Sequence, residues 1–220
     1  MGRDGRNAAL PASQWGLLGS LLIAVGAANI AQPYPALAPL QHAPTVALIL
    51  AAPWLLRRWP LSTGALALLW LFLLLHTLGG RYIYSYVPYE DWLAALTGHA
   101  ASTGAAVARN GYDRFVHGMF GLLCTAPFAQ MARRHGGLGP RAAWLLAFAL
   151  IGLIGALYEI FEWLLTLALA GATADYYNGQ QGDIWDPQKD MALAQLGSLV
   201  AVVIGALLDW RGRREPKSLS

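Results

Sequence analysis

At 220 residues, with 56% hydrophobic and only 12% charged side chains, the chain lies far from the roughly 25% charged composition of a soluble domain. That length accommodates about six membrane spans of some 20 residues each and leaves no room for an added soluble domain. The formal net charge of +3 includes no basic stripe interleaved with aromatics on one segment, so nucleic acid is excluded as a partner.

In chain order the apolar runs predict spans at 15–31, 44–56, 62–78, 115–131, 141–170 and 192–208. The second is short unless it borrows from the approach that holds Pro35, Pro39 and Pro44, and the fifth is interrupted in its outer third by Glu159 and Glu162. The first follows Arg3 and Arg6 and resembles a signal peptide, but the stretch after it offers no convincing small-residue cleavage site, so a retained helix is expected. Residues 90–107 are expected to form a short interfacial helix, with Tyr82, Tyr84, Tyr86, Tyr89 and Trp92 along the same joint.

Charge orients these spans. Alternate joints hold eleven of the fifteen Lys and Arg residues; the remaining four are Arg81, Arg109, Arg114 and Lys189. By the positive-inside rule both termini are cytoplasmic and the number of spans is even. The expected fold is all-α: a polytopic transmembrane helix bundle of about six spans in the bacterial inner (plasma) membrane. Its divisions are a cytoplasmic tail at 1–14, one membrane domain at 15–208 and a basic cytoplasmic tail at 209–220. The acids run the other way, with only Asp4, Asp209 and Glu215 inside.

The outer acids gather at the ends of independent spans. His76 closes the third span, followed by Gly79, Gly80, Arg81 and Tyr82. Asp113 and His117 stand four apart at the start of the fourth and so share a helix face. Glu159 follows Arg141 by 18 residues, a rise of roughly 27 Å that carries it to the outer interface, with Glu162 on the same face. Asp183, Asp186 and Asp190 lead into the last span. Six carboxylates thus face four cations, and the excess is expected to be met by protonation, by cationic His76 or His117, or by a bound cation. Histidine with carboxylate suits a divalent transition metal better than calcium, although the spacing matches no established metal motif.

Each element also has a structural reading. Asp186 before Pro187 fits helix capping, Asp113 fits a cap or a pair with Arg114 or Arg81, and a lone histidine is commonly satisfied by an interhelical hydrogen bond. Glu159 and Glu162 resist this reading most, since two acids one turn apart in an apolar helix are functional more often than not. Gly118 with Gly121, Gly152 with Gly155, and the Gly197, Ala201, Gly205 series mark close helix contacts, and Cys124 is expected to be a buried apolar residue.

The motifs HTLGGRYIYSYVP, RNGYDRFVHGMFGL, YEIFEW and QGDIWDPQKDM, separated by apolar helices over about 61–208, resemble the YjdF-like family of predicted bacterial inner-membrane proteins, which has no assigned activity. The resemblance places His76, Tyr82, Asp113, Arg114, His117, Glu159, Glu162, Gln181, Asp183, Asp186 and Asp190 on motif positions, while the Ala-rich stretch at 100–108 is longer than the usual joint. A looser similarity is to VanZ-like membrane proteins, in which Asp113/His117, Glu159/Glu162 and Asp186/Asp190 would correspond.

From this come three sets of candidates. Glu159, Glu162 and Asp113 are the acid/base candidates; His76, His117 and Asp190 are the metal-ligand candidates; Arg81, Tyr82, Arg114, Gln181, Asp183 and Asp186 are the binding candidates. The competing functions are an enzyme on a lipid or lipid-linked envelope substrate, a proton- or cation-coupled transporter, and a structural or partner-binding protein whose cluster locks the helices. Nearly charge-free inner halves of the spans weigh against a transport route.

Overall fold

The computed structural model describes residues 9–98, 109–168 and 181–214, and every regular element among them is helical. In order these are α1 (Ala12–Ala28), α2 (Ala38–Arg58), α3 (Thr63–Arg81), α4 (Tyr89–Thr97), α5 (Tyr112–Arg134), α6 (Pro140–Ala168) and α7 (Asp186–Arg214). Five of them, α2, α3, α5, α6 and α7, are long and apolar enough to cross a membrane. The apolar α1 has 17 residues and rises roughly 26 Å, slightly less than the hydrocarbon thickness of about 30 Å.

Local chemistry sets the helix starts. Ser62 caps α3 by accepting from the Ala65 amide at 3.2 Å, and the Asn110 carboxamide oxygen accepts from Tyr112 N at 3.0 Å where α5 begins. α2 begins earlier than its apolar run, because Pro39 in the first turn sacrifices no intrahelical bond; Pro44 and Pro53 are carried inside the helix. α7 likewise begins at Asp186 rather than near 192, after a turn in which the Asp183 carboxylate accepts from Trp185 N at 3.0 Å and with Pro187 in the first helical turn. This early start makes Asp186 and Asp190 consecutive residues on one face of α7. α4 covers the first part of the expected interfacial helix, and the rest of that segment and the Ala-rich joint lie outside the described residues.

α1, α2 and α3 form one three-helix group and α5, α6 and α7 another, joined through contact between α3 and α5. The closest approach is between α5 and α7. A Cβ on Gly121 would fall on the Ala194 carbonyl, and one on Gly197 would fall on the Gly118 carbonyl, so only glycine permits this spacing. Alongside, Thr125 Oγ1 donates to Gly121 O at 2.6 Å and lies 2.7 Å from Ser198 Oγ, which satisfies two buried hydroxyls. Where α5 and α7 end and α6 begins, Arg133 and Trp144 both donate to Asp209, at 3.3 and 3.1 Å, and tie α5 and α6 to α7. The opposite end, where α5 and α7 begin and α6 approaches its end, carries the acids.

Candidate functional site at the acidic end of the bundle

Two layers of charge lie at this end. The upper one, the rim, joins the segment before α5 to the segment before α7. Asn110 N donates to Gln181 Oε1 at 2.8 Å and Gln181 Nε2 returns a bond to Asn110 O at 3.1 Å. Arg109 pairs with Asp186, and Arg114 pairs with Asp183 and reaches Asp186 at 3.4 Å. Lys189 Nζ meets Asp183 at 2.6 Å. These donors, Lys189 first, then the Trp185 amide and Arg114, hold the Asp183 carboxyl down at about 2. Asp186 therefore serves ion pairing, although its position before Pro187 suggested a cap.

Beneath the rim lies a floor made of the first turns of α5, the C-terminal half of α6 and the second turn of α7. Asp113, His117 and Asp190 each present a ligand atom within 4.8 Å of the other two. His117 Nε2 is 3.6 Å from Asp113 Oδ1 and 3.9 Å from Glu159 Oε1. Asp190 is only 3% exposed and Glu159 8%. Asp190 Oδ1 and Glu159 Oε1 are buried without a hydrogen-bond partner. Solvation does not reach these oxygens and no cation of the rim pairs with them, an arrangement that costs free energy unless a proton or a metal ion is held there.

Other candidates are placed apart. His76 is held by two hydrogen bonds, Nε2 donating to Gln41 O at 3.1 Å and Nδ1 accepting from the Tyr84 hydroxyl, so neither nitrogen is left to ligate a metal. It nevertheless lines, with Asp113, His117 and Tyr158, a cavity of about 240 Å³ between the two helix groups. Arg81 donates to the carbonyl of Ala28, the last residue of α1, at 2.7 Å and to Ile30 O, just beyond it, at 2.8 Å, and is a capping residue rather than part of the cluster. Tyr82 packs edge-on against Trp92 of α4 with ring centroids 6.1 Å apart. Glu162 lies one turn beyond Glu159 and lines with it a separate cavity of about 440 Å³ between α6 and the start of α7.

Several partners carried no role in the sequence reading. Arg109 and Lys189 entered only as charges to be counted, and Tyr84 only as a ring in the joint. Gln41 and His42 are buried on α2, and a Cβ on Gly80 would come within 3.0 Å of both side chains. Their signal was the polar pair at 41–42 inside an otherwise apolar stretch, obscured by the neighbouring prolines.

A family model described as "Predicted membrane protein (DUF2238)" matches residues 13–211, which includes both layers of this site. The chain belongs to that family. It is also 33% identical over 165 residues to the inner membrane protein YjdF of Escherichia coli (strain K12), covering 72% of each chain. No solved structure matches. It is thus a multi-pass protein of the inner membrane.

Proposed function

We propose that this protein is a membrane-embedded enzyme acting on a lipid or lipid-linked envelope substrate at the outer face, with a divalent transition metal or a shared proton held by Asp113, His117 and Asp190. In this reading α1 completes six spans, both termini are cytoplasmic, and residues 15–208 form a single membrane domain between two cytoplasmic tails. One observation carries the site: three ligand atoms on two helices lie within 4.8 Å of one another, and the buried Asp190 oxygen among these residues has no hydrogen-bond partner. A metal bound there would activate water or polarise a substrate oxygen, and Glu159, 3.9 Å from His117, is the general acid/base. Glu162 widens the acidic surface toward the cleft between α6 and α7, while Arg114, Gln181, Asp183 and Asp186 hold the rim above it.

The rim favours a second reading for its own residues, that of a structural lock between the α5 and α7 starts. Its carboxylates are matched by Arg109, Arg114 and Lys189, as a locking network requires. Elemental analysis by mass spectrometry of the detergent-purified protein, beside a folded Glu159→Ala, His117→Ala variant, tests the reading of the floor. Near-stoichiometric transition metal in the wild type, lost in the variant, is the expected result. Absence of metal from both, with no turnover of any envelope lipid, would reduce the floor to an acid network that locks helices.

A further inference from the structure

Below the floor an apolar cleft of about 740 Å³ runs between the two helix groups, within the range of about 300–1,000 Å³ typical of small-molecule sites. Among the described residues its lining includes no charged, amide or hydroxyl side chain. Leu48, Phe72, Leu73, Phe120 and Ile154 line both this cleft and the polar cavity above it, so the two spaces meet at a common wall. α2 and α6, which form its sides, are not among the closely packed helix pairs. Leu48 on one side and Leu146 on the other are 49% and 40% exposed, so the cleft opens sideways to the bilayer between these helices.

Length decides the occupant. The combined space reaches from Asp113 to Met131 on α5, eighteen residues or roughly 27 Å of helix rise. That approaches the whole hydrocarbon thickness of about 30 Å, whereas the chains of an ordinary bilayer lipid fill one leaflet, about half of it. We propose that the cleft holds the apolar chain of a lipid longer than one leaflet, entering between α2 and α6, with its polar head at Asp113 and His117. The inference rests on the enzymatic reading of the floor and gives it a substrate class: a long single-chain amphiphile. Burial of each methylene in place of a bilayer contact adds little energy, so the cleft selects by length and by the position in which it presents the head.

The test uses the purified full chain in liposomes with two photoactivatable probes, a polyprenyl phosphate whose chain exceeds one leaflet and a diacyl phosphatidylethanolamine, each carrying its reactive group at the chain end. The polyprenyl probe is expected to label the inner-half lining, around Leu56, Leu66 and Met131, and the diacyl probe is not. Ala52→Trp, which fills the inner half of the cleft, should lower polyprenyl labelling about tenfold and leave diacyl labelling unchanged. Equal labelling of that lining by both probes, or polyprenyl labelling confined to the outer surface of the bundle, would overturn the proposal; the wild-type map decides this even if the tryptophan variant does not fold. Metal at the floor without inner-half labelling would remove the cleft inference and keep the site. Inner-half labelling of a protein that binds no metal and turns over no lipid would keep the cleft as a lipid-binding groove and remove the enzymatic reading.

Discussion

Rim and floor lie within a few residues of one another on the same helices, yet they are built by opposite rules. At the rim Asp183 and Asp186 meet Arg109, Arg114 and Lys189, so most of the charge is neutralised by direct partners. At the floor Asp113, Glu159 and Asp190 surround a single histidine, and buried oxygens are left over. A fold that needed only to lock α5 to α7 would have placed a cation among the second set as it did among the first. Buried oxygens without a hydrogen-bond partner are what the proposed site would offer to a metal ion or a proton.

The sharpest way to break this contrast is Asp190→Asn. At the floor the substitution removes a carboxylate that has an unpartnered oxygen, so, with both proteins stripped of metal, the variant should melt at or slightly above the wild type, and it should bind essentially no metal when metal is restored. A melting temperature that drops sharply would put Asp190 among the locking residues. Asp186→Ala, one turn away, should behave in the opposite sense. It removes the carboxylate nearest to Arg109, a side chain only 2% exposed that Arg114 also reaches, and should cost about 3 kcal/mol in a detergent unfolding titration. An Asp186→Ala protein as stable as the wild type would show that the rim is not a lock.

Both layers depend on the α5–α7 approach, and Gly121→Ala tests it. The added methyl would meet backbone at Ala194, which has no rotamer to change, so the helices must separate at a cost of about 2 kcal/mol. Because Asp113 and His117 lie on α5 and Asp190 on α7, metal affinity should fall with stability in this variant, unlike in Asp190→Asn. Equilibrium dialysis against the metal alone, beside the unfolding titration, measures the two together.

The fold was more legible than the site, for a physical reason. Apolar length and Lys/Arg placement are properties of single segments, and they located α3, α5 and α6 to within a few residues. Helix starts at Ala38 and Asp186 were hidden because prolines and acids read as joints in an apolar scan, although both are compatible with a first helical turn. For the site, the i,i+4 spacing of Asp113 and His117 and the rise from Arg141 to Glu159 put three acids and a histidine at one depth. What depth does not give is azimuth. His76 and Arg81 reach the correct level but turn toward α2 and α1, where Gln41 O and Ala28 O accept from them. Pairing among the remaining charges was likewise beyond counting, which found an excess of acid without showing that the rim is matched and that the excess falls on the floor and on Glu162.

The smallest expected effect concerns pH at the rim. Asp183 is held down at about 2, chiefly by Lys189, whereas an unfolded aspartate titrates near 3.9. A carboxyl whose folded value is the lower one stabilises the fold in its ionised form; the contribution is complete above about pH 4 and fades as pH falls through 2. Asp183→Asn should therefore melt slightly below the wild type near neutral pH, and the gap should close on acidification toward pH 2. Lys189 is 48% exposed, so added salt should narrow the same gap at neutral pH. The floor supplies the control: Asp190→Asn removes no direct ion pair to a rim cation, so its melting temperature relative to wild type should be insensitive to salt. A salt-dependent gap in both variants would mean that the two layers form one electrostatic network.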